Sequence, residues 1–180
     1  MENLVLVRPA IEYREAYREM IEDWLSVGEE PHPWVLGLNY KKFPVLVEKL
    51  AGFSLGYGVP DGYVPSSTFW AYLEESGKIA GAVNLRHGLN DSLLKFWGQI
   101  GYGVAPGYRG NGYATRMLAL ALEEARKMSL ERVLLSCCRD NRASARVILK
   151  NGGVLENEVL EPESGKVIQR YWISLQEARV

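Results

Sequence analysis

Apolar positions along the chain keep two rhythms, and the places where one gives way to the other mark its elements. Four apolar residues in a row, "LVLV" at 4–7, stop at Arg8 and Pro9 and read as a short strand. Tyr13, Ala16, Tyr17, Met20, Ile21, Trp24 and Leu25 then recur at spacings of three and four, an amphipathic helix that Gly28 can end. A second helical stretch runs from about Tyr40 to Ala51 with Asn39 as its cap, and 52–66, "GFSLGYGVPDGYVPS", reads as a long loop. "STFWAYLEESGKIAGAVNLR" (67–86) predicts two strands joined by a turn at Glu75–Lys78. "HGLNDSLLKFWG" connects these to a further strand at 99–105.

Beyond a glycine-rich turn, Ala114, Leu118, Ala121, Leu122, Ala125 and Met128 form one helical stripe reaching about Ser129. A buried-looking strand at 132–137 and a short helix from Ala143 to Lys150, capped by Asn141 and ended by Gly152 and Gly153, come next. A hairpin around "EPESG" closes the chain. Strand, helix and strand between Gln99 and Cys137 predict a parallel pair with a right-handed crossover. The hairpins add antiparallel strands, so the expected fold is a single α/β domain with a mixed central sheet and helices on both faces. No repeat, linker or low-complexity tract divides it.

Composition narrows the function classes more than the fold. The chain has 180 residues, 47% hydrophobic and 24% charged, as an ordinary globular domain does. Its net charge of −1 lacks the basic surplus of nucleic-acid binders. No apolar run approaches about 18 residues, and the start lacks the pattern of a signal peptide. Cys137 and Cys138 are adjacent, unsuited to pairing with each other and without metal-ligand spacing. The expectation is a cytoplasmic protein with reduced cysteines, no metal, no membrane and no nucleic-acid partner.

The turn "PGYRGNGYATRM" (106–117) carries the most specific chemistry. Gly107, Gly110 and Gly112 leave backbone N–H groups uncovered at a helix N-terminus, where unpaired donors and the helix dipole favour an anion. A P-loop is excluded because no Gly-Lys-Ser/Thr triplet occurs. A dinucleotide fold needs G-x-G-x-x-G, whereas this turn reads G-x-x-G-x-G. A coenzyme A pyrophosphate loop, Gln/Arg-x-x-Gly-x-Gly/Ala, is matched at every fixed position by Arg109, Gly110, Asn111, Gly112, Tyr113 and Ala114.

With this motif and "DNRASARVILKNGG" (140–153), the chain resembles the GNAT superfamily of N-acetyltransferases from about Thr68 to Ile173. The resemblance implies a fold in which the strand before the loop and the next parallel strand splay apart to admit pantetheine. Residues 67–175 would be the coenzyme-binding core and 1–66 the acceptor-side region. Tyr102, Gly103 and Val104 would lie along pantetheine and 109–114 on the pyrophosphate, with Asn141 and nearby Ser144 also on the coenzyme. Small residues at 101 and 103 suit a strand approached closely by another chain-like object.

The implied activity is acetyl transfer from acetyl-CoA to an amine of a small molecule or peptide. The resemblance leaves open a homodimer, a coenzyme-binding sensor without turnover, and an acyltransferase using another acyl group or a hydroxyl acceptor. Many relatives supply an acid from a Tyr seven residues after the capping Asn and carry a Glu about eleven residues before the motif's Arg. Here those positions are Ile148 and Gly98. His87, at the end of "AGAVNLR", is the side chain named as proton acceptor, since His titrates near neutrality. His32, between prolines, reads as an exposed loop residue. Asn84, Arg86 and Tyr171 are polar candidates without rank. Trp34, Tyr40, Tyr57 and Tyr63 would suit an aromatic pocket, and Glu12, Glu15 and Asp61 could attract a cation. An acyl-enzyme on Cys137 or Cys138 has no neighbouring His or acid to activate it.

Overall fold

The computed structural model describes residues 2–176. Seven strands and four α-helices alternate along it: β1 Leu4–Val7, α1 Arg14–Ser26, α2 Phe43–Ser54, β2 Ser66–Leu73, β3 Lys78–Arg86, β4 Ile100–Val104, α3 Tyr113–Lys127, β5 Arg132–Cys138, α4 Arg142–Lys150, β6 Val154–Leu160 and β7 Val167–Ser174. The 3.6-residue periodicity is realised where it was read, except at Leu25, which α1 leaves exposed. Tyr17, Met20, Ile21 and Trp24 are the buried stripe of α1, and Met117, Leu118, Ala121, Leu122 and Ala125 that of α3. Asn39 caps a short 3-10 turn, and α2 starts behind it with Pro44 in its first turn. That helix continues past Ala51 because Phe53 completes the buried spacing of Leu46 and Leu50, overriding the glycine beside it. The "HGLNDSLLKFWG" connection contains one π-helical turn, Leu93–Trp97.

The expected mixed sheet is not formed. Every ladder is antiparallel, in two sheets ordered β1-β2-β3-β4 and β5-β7-β6. The crossover reasoning assumed that β4 and β5 share a ladder, but each pairs only on its other side. The two strands touch where the Gln99 amide donates to the Leu134 carbonyl at 2.6 Å and the Leu134 amide to the Gln99 side chain at 3.2 Å. Gly98 makes this approach feasible. Its φ is +66°, and a Cβ there would lie 2.5 Å from the Leu134 oxygen.

Two apolar cores lie on opposite faces of the first sheet. Phe69, Val83 and Leu85 face α3, β5 and β7, while Trp70 and Ala82 face α1 and α2. Alternation along β3 places Asn84 and Arg86 on the α1/α2 face with Ala82. The same alternation places Gly101 and Gly103 of β4 on that face and Ile100, Tyr102 and Val104 on the other. Helices therefore cover both faces, as expected.

Candidate active site

Past the single contact at Gln99, no main-chain bond joins β4 to β5 among the described residues, and a cavity of about 550 Å³ occupies the gap. It is lined from both sides of the first sheet. His32, Trp34, Tyr63, Asn84, Arg86 and Trp97 line one part; Tyr102, Ser136, Cys137, Asn141 and Ser144 line another. The β3–β4 register fixes what β4 offers to this space. Arg86 N–H bonds to the Gln99 oxygen and Ala105 N–H to the Ala80 oxygen, so residues of that parity spend their polar groups on β3. The amides of Tyr102 and Val104 therefore lie on the open edge of β4.

The glycine turn stands at the end of that edge. Gly110 and Gly112 are left-handed, at φ +80° and +79°, and Gly112 is the N-cap of α3. Among the described residues, the amides of Gly110, Asn111, Gly112, Tyr113 and Ala114 donate to no protein acceptor. Five consecutive free donors at a helix N-terminus form an anion nest. The Arg109 side chain is turned elsewhere. Its guanidinium makes a two-point pair with Glu29 at 2.6 and 3.0 Å, donates to the Val104 oxygen, and lies 4.8 Å from the Trp24 ring centroid. Hydrogen bonding to Arg109 holds the Glu29 carboxyl below its ordinary pKa. Gly107 also serves this side, donating its amide to Asp23 at 2.8 Å.

Gly101 and Gly103 are crowded by the chain itself. A Cβ on Gly103 would lie 2.2 Å from the His32 oxygen, and one on Gly101 would lie 3.3 Å from Pro33 Cβ. The close-approaching object on this face of β4 is the 32–33 segment. That packing carries His32, read as a plain loop residue, to the rim of the cavity. Its surface is open to solvent, with enough protein around the ring that desolvation, then the Arg86 charge, lowers its pKa.

His87 does not line the cavity. Its Nε2 bonds the buried Ser67 hydroxyl at 2.9 Å, its amide donates to the Pro65 oxygen, and its pKa is lowered by desolvation and by Arg8. Tyr171 is likewise elsewhere, with its hydroxyl on Gln169. Of the aromatic candidates Trp34 and Tyr63 reach the cavity; Tyr40 packs near Tyr17, and Tyr57 is exposed. Glu12, Glu15 and Asp61 do not line it. Phe96 and Trp97 do, and sequence reasoning passed over them. Two aromatics in a polar connection were the available signal.

Among the described residues, the wall contains no Asp or Glu. Asn84 is fully buried, and its Nδ2 donates to Ser66 and Thr68 at 3.0 and 3.2 Å, leaving Oδ1 without a partner. Tyr102 donates to or accepts from the Ser144 hydroxyl at 2.9 Å, and burial pushes its phenol up to about 12. Burial also pushes the Cys137 thiol up to about 11, so it remains protonated at neutral pH. Asn141 accepts from the Ser144 amide at 3.0 Å and caps α4. Ile148 is wholly buried, pointing into the core. Among the described residues no group of three His, Cys, Asp or Glu side chains is placed to hold a metal, and no helix is long and apolar enough to cross a membrane.

A family model described as the acetyltransferase (GNAT) family matches residues 6–152. No curated protein matches the chain by sequence. Solved structures match its fold. The microcin self-immunity acetyltransferase MccE, in complex with acetyl-CoA and AMP, superposes with a TM-score of 0.70 at 18% identity, over 97% of this chain and 93% of that one. Mycobacterium smegmatis RimJ, in complex with a coenzyme A disulfide, gives 0.69 at 19% identity, over 95% and 81%. A Salmonella typhimurium enzyme that modifies the N-terminal serine of a 50S ribosomal protein gives 0.66 at 16% identity, over 95% and 94%.

Proposed function

The chain belongs to the GNAT acetyltransferase family and is an acyltransferase, and from that premise we propose that it transfers the acetyl group of acetyl-CoA directly to an amine of a small molecule. The observation that carries the reading is the row of five unpartnered amides at 110–114, set beside the open edge of β4 and a cavity that crosses the sheet. The nest suits a diphosphate, and the free Tyr102 and Val104 amides suit an amide-bearing arm lying along the strand. MccE and RimJ were solved with coenzyme A species bound, which supports the same assignment.

Acetyl-CoA supplies an activated thioester; the chain supplies position, an oxyanion donor and proton routes. A β4 amide on the open edge can donate to the carbonyl oxygen as negative charge develops there. The acceptor would enter from the α1/α2 face, where Asn84 lines the cavity. Its ammonium gives up a proton, the neutral nitrogen attacks, and the departing thiolate takes a proton. The net products are an N-acetyl amine, free thiol and one proton. His32, held toward its neutral form, is the imidazole at the cavity rim that can accept a proton, directly or through water. Tyr102, protonated throughout the working pH range, is the group that can donate to the thiolate. The raised Cys137 pKa argues against a covalent acyl-enzyme.

A pair of substitutions tests the nest. Gly112→Asp and Gly112→Asn put nearly the same volume at the α3 N-cap, where both residues are accepted; only the first adds a negative charge. Like charges in contact cost several kcal/mol, so calorimetry should find acetyl-CoA affinity lower in the Asp variant than in the Asn variant by about 10²-fold or more. Equal affinities in two folded variants would remove the diphosphate assignment.

A further inference from the structure

The acceptor side of the cavity carries a cation without a counter-ion. Arg86 is half-buried, and its Nη1 donates to the main-chain oxygens of Gly98 at 3.0 Å and Trp97 at 3.4 Å. Among the described residues its Nε and Nη2 donate to no protein acceptor, and no carboxylate lines the cavity. Burial lowers its pKa, the mark of a desolvated charge. A guanidinium fork left open toward a cavity is shaped for a carboxylate, which it binds through two parallel hydrogen bonds.

Two residues back on the same face of β3 stands the unpartnered Oδ1 of Asn84. Asn84 lines the cavity with its amide fully buried and Oδ1 closed to solvent, so that oxygen gains a donor only from a group seated directly against it. An ammonium or amine has that donor. The two groups lie roughly 7 Å apart along the strand at their backbones, and the long Arg86 side chain can shorten that span. Trp34, Tyr63, Phe96 and Trp97 supply flat apolar surface around the same space. Trp34 and Tyr63 pack with ring centroids 4.5 Å apart.

We propose that the acceptor is a free α-amino acid with an apolar, flat side chain, its carboxylate held by Arg86, its amino nitrogen by Asn84, and its side chain by the aromatic wall. This rests on the acetyl-transfer reading above and narrows it. A peptide N-terminus has the same amine but replaces the carboxylate by a neutral amide, and so leaves the Arg86 charge uncompensated. A polyamine has no group for Arg86 and would bring further positive charge into a wall without acids.

The test uses the full chain, acetyl-CoA and three matched sets: phenylalanine, tryptophan and leucine, the corresponding carboxamides, and the corresponding decarboxylated amines. Release of free thiol gives kcat/KM for each. The expected order places phenylalanine or tryptophan about 10²-fold or more above both its carboxamide and its amine, and above leucine, since a site built to bind a charged group discriminates strongly against its absence. Arg86→Met should erase that preference through a rise in KM for the acid, while acetyl-CoA affinity by calorimetry stays unchanged. Arg86→Lys, which keeps the charge and loses the fork, should restore part of it.

Turnover of carboxamides or amines at the rate of the acids overturns the proposal and leaves acetyl transfer standing. So does an Arg86→Met variant that loses all three sets equally, or an Arg86→Lys variant without any recovery of the preference. No thiol release with any of these compounds in a protein that binds acetyl-CoA overturns the proposal and leaves acetyl transfer to another acceptor standing. Failure to bind acetyl-CoA overturns the underlying reading.

Discussion

His87 Nε2 stands 2.9 Å from the Ser67 hydroxyl, so the ring is held at the end of β3 by a buried partner while the cavity lies elsewhere. His32 has the opposite setting, at the cavity rim, fixed by a backbone that rests on Gly103. Sequence put His87 beside the acceptor side and read His32 only as an exposed loop residue. His32 is exposed, but its place at the rim was missed, because a residue's distance from a cleft is set by what its neighbours pack on and composition around His32 says only that prolines flank it. The reassignment is testable by pH. Both rings sit below the ordinary 6.5, so their neutral forms dominate at pH 7, and the acidic limb of kcat/KM should have its midpoint below 6.5. His32→Gln should abolish that limb and reduce kcat/KM by about 10²-fold, whereas His87→Gln should keep both the limb and the rate. An unchanged limb in His32→Gln would leave the amine to lose its proton to solvent alone.

At the scale of elements, periodicity delivered every α-helix and strand to within a few residues, because each buries one face and the spacing of that face is written locally. Partnership between strands is not written locally. The strand–helix–strand order from β4 to β5 implied one ladder, and nothing in "QIGYG" or "RVLLSC" announces that the two edges meet only at Gln99 and Leu134. Gly98 held the clue. Read only as the absence of an acid, it is in the structure the residue that lets the strands touch, at φ +66° with the Leu134 oxygen where a Cβ would be. Gly98→Ala combines left-handed strain with a backbone clash, each worth about 1 kcal/mol or more, so thermal or urea unfolding should show a loss of at least about 2 kcal/mol. Gly28→Ala, also at positive φ but in open space, supplies positive-φ strain without the clash and should cost less. Equal losses in the two variants would mean that the contact with Leu134 contributes nothing.

Across the whole molecule, the nest, the open β4 edge and the aromatic wall come from separate stretches of chain that only tertiary packing assembles. The motif at 109–114 was legible because a turn's backbone carries its own donors; of the acceptor wall, Asn84, Arg86, Trp34 and Tyr63 were legible as separate candidates and Trp97 was not, because they become a set only when β3, the 32–34 segment and the π-helical turn converge. Acetyl-CoA at 100 times its Kd should raise stability by about 2.7 kcal/mol if it binds only the native state. A calorimetric scan with and without it checks this; an unchanged midpoint would mean no preferential binding.

The single junction at Gln99 has a consequence for how the chain assembles. The first sheet is built wholly from residues 4–104 and the second wholly from 132–174, yet Phe69, Val83 and Leu85 of the one share a buried core with Val133, Leu135, Tyr171 and Ile173 of the other, so the two units part only by opening that core. The cleft exists only while those units are docked. Hydrogen exchange should therefore find the core amides of both sheets in one protection class in the free protein, slowed together by coenzyme; two classes, one per sheet, would mean that the shared core does not couple them.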